Sequence, residues 1–101
     1  MGFLVTQNAE VILHEIWLYI LHQSGSPEVA TRFLDSFTDV FHLLAQSPSM
    51  GRRRDEIKPG SRAFLSGDYI IVYSIRDADV LIEEVIHGRR KLPKSSDDSK
   101  R

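Results

Sequence analysis

Cationic side chains are the densest chemistry in this 101-residue chain. Between positions 52 and 62 stand Arg52, Arg53, Arg54, Lys58 and Arg62, offset only by Asp55 and Glu56. A second basic cluster, His87-Gly88-Arg89-Arg90, comes further on. Guanidinium groups at this density suit an anionic or acidic partner, because each presents a planar fork of donors to phosphate or carboxylate. The same charge also suits a solvated sheet edge, where it discourages one sheet from adding to another. The chain has no cysteine, which excludes thiolate chemistry and a disulfide framework and fits a reducing cytoplasm. His14 and His22 sit two turns apart on what reads as one helix, too far to converge on one ion, so neither a metal nor a cofactor is expected.

Positioning the cations falls to the stretch from Ser61 to Arg90, which reads as three strands joined by two tight turns. Ser66-Gly67-Asp68 and Arg76-Asp77-Ala78-Asp79 supply the glycine and short polar residues that hairpin loops need. Tyr69 to Ile75 is β-branched or aromatic at nearly every position. Such a run belongs in the middle of a sheet, with one face under helices and the other partly wet. The last strand ends in His87-Gly88, which leaves Arg89 and Arg90 at the sheet rim. The charged run from Arg52 to Arg62, closed by Pro59-Gly60, reads as an edge strand, and Phe3 to Val5 as a short strand that needs a neighbour.

Two helices fill the interval between these strands. Thr6 suits an N-cap, and Ala9, Ile12, Leu13, Ile16, Tyr19 and Ile20 then recur at three and four, giving one apolar face. Val11, Trp17, Leu18 and Leu21 widen that face beyond what one sheet contact requires, so a partner or a second copy is expected to cover part of it. Ser24-Gly25 ends the helix. Ser26, Pro27 and Glu28 agree as cap, first helical position and acidic first turn of the next. Ala30, Phe33, Leu34, Phe37, Phe41 and Leu44 repeat at helical spacing until Pro48 forbids continuation. So short a loop makes the two helices antiparallel neighbours, and His42 near the end of the second suits its carboxyl end.

The expected fold is therefore α+β, in the order β-α-α-β-β-β, with an antiparallel helical hairpin on one face of a mainly antiparallel, twisted sheet. Residues 1–92 form one domain and 93–101 a polar tail with nothing to bury. No apolar run reaches the roughly 18 residues of a membrane span. Charge is uneven: residues 1–50 carry five acids against Arg32 alone, and residues 51–101 carry twelve cations against nine acids. An anionic partner would thus meet the sheet side rather than the helices.

In order and spacing the chain resembles the ParE/RelE superfamily of bacterial toxins, and within it the ParE branch. The resemblance runs from Thr6 to Leu92. It rests on Ala9, Ile12, Ile16, Tyr19, Ile20, Ala30 and Phe33, becomes specific at Pro48, Gly51-Arg52-x-Arg54-x-Glu56 and Pro59-Gly60-x-Arg62, and closes with Gly67-x-Tyr69, Tyr73, Ile82, Val85 and His87-Gly88-x-Arg90. It implies a plasmid-stabilisation toxin of a type II toxin-antitoxin system, cytoplasmic, bound by a cognate ParD-like antitoxin, either as a homodimer or in a higher toxin-antitoxin oligomer. For the ParE branch it implies DNA gyrase as target, bound without catalytic residues and without sequence-specific contact to nucleic acid. The target-binding set would then be Arg52, Arg54, Arg62, Arg89 and Arg90, and the antitoxin would take Val11, Trp17, Leu18 and Leu21. The RelE branch implies instead a ribosome-dependent mRNA endonuclease with Arg62, His87 and Arg90 as phosphate-binding and acid/base groups. Against that branch, the segment after Gly88 has no tyrosine, and in the ParE branch the histidine before the glycine is structural. A third alternative is an inactive regulator that only binds its antitoxin.

Overall fold

The computed structural model describes residues 2–88; Arg89, Arg90 and the tail at 93–101 lie outside the described residues. Strand β1 (Phe3–Val5) leads into helix α1 (Gln7–Ser24) and helix α2 (Pro27–Gln46). A single 3-10 turn at Pro48–Met50 connects to strands β2 (Arg52–Arg53), β3 (Ser61–Ser66), β4 (Tyr69–Arg76) and β5 (Asp79–His87). The five strands form one sheet in the order β1-β5-β4-β3-β2. β1 pairs parallel with β5 and all other neighbours are antiparallel.

Local chemistry sets the helix ends. The Thr6 hydroxyl accepts a hydrogen bond from the Ala9 N–H at 3.1 Å and caps α1, satisfying one of the orphan donors of the first turn. Gly25 ends α1 in the left-handed region (φ 71°) and donates its N–H to the Leu21 carbonyl at 2.7 Å; a side chain would be strained in that conformation. Ser26 then caps α2 by accepting from the Val29 N–H at 3.2 Å, with Pro27 in the first turn. Only two residues separate the helices, and Trp17 Nε1 donates to Thr31 Oγ1 at 3.2 Å between them.

The hairpin covers one face of the sheet. Ala9 and Ile16 of α1 and Phe37, Phe41 and Leu44 of α2 bury against Ile71, Tyr73, Val80, Ile82 and Val85. Each of the large side chains contributes roughly 1.5–3 kcal/mol by leaving water. Central β4 is buried at Ile71, Val72 and Tyr73, as its continuous apolar run requires. The hairpin turns fall where expected, with Gly67 (φ 60°) and Asp77 (φ 55°) in the left-handed region.

Three details depart from the sequence expectation. Tyr19, placed on the core face by spacing, is 57% exposed, because the core stripe of α1 narrows to Ala9 and Ile16 with Ile12, Leu13 and Ile20 at its flanks. The charged run from 52 to 62 supplies only a two-residue strand before it turns. His42 lies more than a turn before the end of α2 and packs edge-on to Phe3, ring centroids 4.9 Å apart.

Candidate functional site

The cationic edge is hung from one buried phenol. Tyr73 is fully buried in the centre of the sheet, and its hydroxyl accepts from the Gly51 N–H at 2.8 Å while donating to the Pro48 carbonyl at 2.6 Å. Burial raises the Tyr73 phenol above its ordinary value of 10.0, partly offset by the Gly51 bond and the Arg62 charge, so it stays protonated and able to donate. Arg62 Nη1 donates to the Gly51 carbonyl at 2.7 Å. A Cβ at position 51 would stand 2.6 Å from the Tyr73 oxygen and 2.9 Å from the Ala63 carbonyl. Glycine is what lets the chain pass this close, and the pass delivers Arg52 and Arg53 to the sheet edge.

Beyond β2 the chain doubles back in a turn built from its own charges. The Arg54 N–H donates to the Ser61 carbonyl and the Ser61 hydroxyl donates to the Arg54 carbonyl, each at 2.9 Å. Arg54 Nε meets Glu56 at 2.5 Å and Arg53 meets Asp55 at 3.3 Å. Asp55 also accepts the Gly60 N–H at 2.9 Å, and that bond, with Arg53 and Arg62 nearby, holds its carboxyl below the usual range. Glu56 is lowered by its own backbone N–H and by Arg54. Lys58 reaches Glu83 on β5 at 3.3 Å.

Arg52, Arg54 and Arg62 therefore lie along one border of the sheet, with Arg62, opposite Tyr73, on the helix side of it and Arg52 on the far side. Register pairs Arg52 with Ala63 and Arg53 with Arg62, so Arg52 shares the face turned away from the helices and Arg53 the other. Arg62 and Arg54 already have acceptors. Among the described residues, Arg52 is the cation of this run whose guanidinium is paired with no acid or carbonyl.

His87 is elsewhere. It lies opposite Tyr69, whereas Arg62 lies opposite Tyr73; four residues along β4 and two strand spacings put their backbones about 16 Å apart. The His87 ring stands edge-on to Tyr69 at 5.0 Å, which in turn packs on Phe33 and Phe37. Arg62 and His87 thus occupy opposite ends of the sheet and do not converge on one phosphate, and Arg90 lies outside the described residues.

A second surface belongs to α1. Val11 and Leu18 are 52% and 46% exposed, while Trp17 and Leu21 are half-buried. Leu18, Tyr19 and Leu21 line a shallow, open depression with Glu15, His22 and Gly25. Tyr19, assigned to the core by spacing, is thus part of this apolar surface. No described helix is long and apolar enough to cross a membrane.

The model of the ParE toxin family, the toxin of the parDE type II toxin-antitoxin system, matches residues 3–92. The chain belongs to that family. Among ParE proteins it is 31% identical to Toxin ParE3 of Caulobacter vibrioides over 70 residues, which is 69% of this chain and 70% of that protein. Toxin ParE1 of Mycobacterium tuberculosis is 26% identical over 94 residues, 92% of this chain and 95% of its own length. A solved structure described as the chromosomal ParDE TA system from P. aeruginosa superposes with a TM-score of 0.74 over 86% of this chain and 95% of that one, at 19% identity, so the ParE fold is shared. Two positions that carry the resemblance, Gly51 and Tyr73, prove to be the anchor of the cationic edge. Glu83 was not singled out by spacing, although the acid pair Glu83-Glu84 between Val80-Leu81-Ile82 and Val85-Ile86 was its signal.

Proposed function

We propose that this ParE toxin acts in the cytoplasm by binding DNA gyrase through the cationic border and the segment that follows Gly88, and that an antitoxin silences it by covering α1. The observation supporting this reading is that Arg52, Arg54 and Arg62 line one border of the sheet, on its two faces, with the Arg62 backbone about 16 Å from that of His87. A border of guanidinium groups holds an acidic or phosphate-rich surface. General acid-base cleavage would instead need a proton donor and acceptor within hydrogen-bond reach of the same phosphate. The proposed target set is Arg52, Arg54, Arg62, Arg89 and Arg90, and the proposed antitoxin set Val11, Trp17, Leu18 and Leu21.

Purified toxin added to gyrase in a supercoiling assay is expected to stall the reaction and accumulate cleaved DNA complexes. Arg52→Ala is expected to weaken inhibition by about tenfold, since it removes one charge-assisted contact. Full supercoiling at stoichiometric toxin overturns the reading.

A further inference from the structure

Among the described residues Glu83 is the one buried acid, and its surroundings run from the helical layer to the cationic border. Register pairs Val72 with Glu84 and Tyr73 with Ile82, so Glu83 is the extra residue of a β-bulge. Bulges re-aim a side chain and bend the strand that carries them. The Glu83 carbonyl accepts from Asn8 Nδ2 at 3.2 Å and from the Thr6 hydroxyl at 3.4 Å, which fastens its backbone to the start of α1. Its carboxylate points the opposite way. Oε2 accepts from the Ser74 hydroxyl at 3.0 Å, and Ser74 lies opposite Ser61, whose hydroxyl holds Arg54. Oε1 is buried and makes no aligned hydrogen bond, yet it stands 3.3 Å from the Lys58 ammonium. The Lys58 side chain is itself mostly exposed, so the contact is one of charge rather than of a directed bond.

We propose that Glu83 is a positioning residue for the toxin, holding the turn 54–60 across the uncovered sheet face and so fixing how Arg52, Arg53 and Arg54 are presented. A buried carboxylate stripped of its countercharge is costly, so Glu83 holds the Lys58 ammonium over it, and Lys58 is in the middle of the turn. The turn has few apolar anchors of its own: Ile57 is half-buried and its neighbours are polar. Ser61 and Val72 are nonetheless 1% and 2% exposed on the face turned away from the helices, as a turn drawn down over that face requires. The link to gyrase rests on the proposed function; the link to the turn does not.

Hydrogen exchange on the free chain tests the positioning. Glu83→Gln keeps the shape and the Ser74 bond but removes the charge, and Lys58→Met removes the partner. Each is expected to speed exchange of the amides in 54–61 by about tenfold while α2 amides keep their rates, and the double variant is expected to add nothing to either single. In the supercoiling assay both variants are expected to need several-fold more toxin for half-inhibition, with antitoxin affinity unchanged. Unaltered exchange in 54–61 in both variants overturns the proposal, as does faster exchange throughout α2 or a parallel loss of antitoxin affinity. A wild-type chain that leaves gyrase untouched counts against the target reading alone.

Discussion

Tyr73 joins the core to the edge through a single oxygen, and two consequences follow from that. Tyr73→Phe removes the acceptor for the Gly51 N–H and the donor to the Pro48 carbonyl, leaving both backbone groups unpaired; stability is expected to fall by about 1–3 kcal/mol in urea titration. The second consequence is alkaline. The phenol is raised above 10.0 in the fold, so the folded state favours its neutral form. Its stabilising contribution is therefore complete below the unfolded value and lost as pH rises through the folded one. Urea midpoints for the wild type are expected to fall more steeply above about pH 10 than those of Tyr73→Phe. Equal slopes would mean that another group carries the alkaline loss. The carboxylates have the opposite sign: Asp55 and Glu56 are lowered in the fold, so their pairing contributes above the ordinary carboxylate range and is lost as pH falls through the folded values.

Among the elements, α1 depends on its first turn more than its exposed face implies. Thr6 caps Ala9 and also leans on the Glu83 carbonyl, so Thr6→Ala is expected to destabilise the chain by about 1–2 kcal/mol, read as a shift in denaturant midpoint. An effect as small as that of a solvent-exposed helix substitution would place the cap outside the stability balance. This cap was legible because its chemistry is local, as were Ser26, Gly25 and both hairpin turns; a few adjacent residues decide each. The parallel pairing of β1 with β5 was not legible, since the partners stand about 77 residues apart, nor was the bulge at Glu83, because the hairpin turn at Asp77 does not reveal a shift of register further along the strands. The cationic run was legible as charge, but how the charges are used was not. Arg54 pairs with Glu56 two residues on, whereas Arg62 found its acceptor in the Gly51 carbonyl, a matter of backbone path and not of composition. Tyr19 failed for a similar reason. Helical spacing admits it to the apolar face, whereas α1 lies so that only a narrow stripe meets the sheet.

At the scale of the whole molecule, the two proposed working surfaces are separated by the core. The apolar surface of α1 lies in the helical layer, and Arg52 belongs to the opposite face of the sheet. An antitoxin on α1 need not touch the cationic border to share the molecule with it, so the two contacts should be separable by substitution. Leu18→Asp combined with Leu21→Asp is expected to abolish co-purification with a co-expressed antitoxin, with Leu18→Asp alone as the variant that disturbs no core contact. Arg52→Ala is expected to leave co-purification intact. Retained capture by both leucine variants, with their thermal unfolding unchanged, would move the antitoxin to another surface.

Because Phe3, Leu4 and Val5 lie alongside Val80, Leu81 and Ile82, β1 waits on a strand about 77 residues further along the chain. During translation a growing polypeptide can raise its helical hairpin early, since those contacts are near in sequence. Its first strand stays without a neighbour until β5 has left the ribosome. A half-made copy is therefore not a half-strength toxin: Tyr73 and the residues that build the bulge are not yet in place, and the arginine border takes shape only once β4 and β5 have joined the sheet.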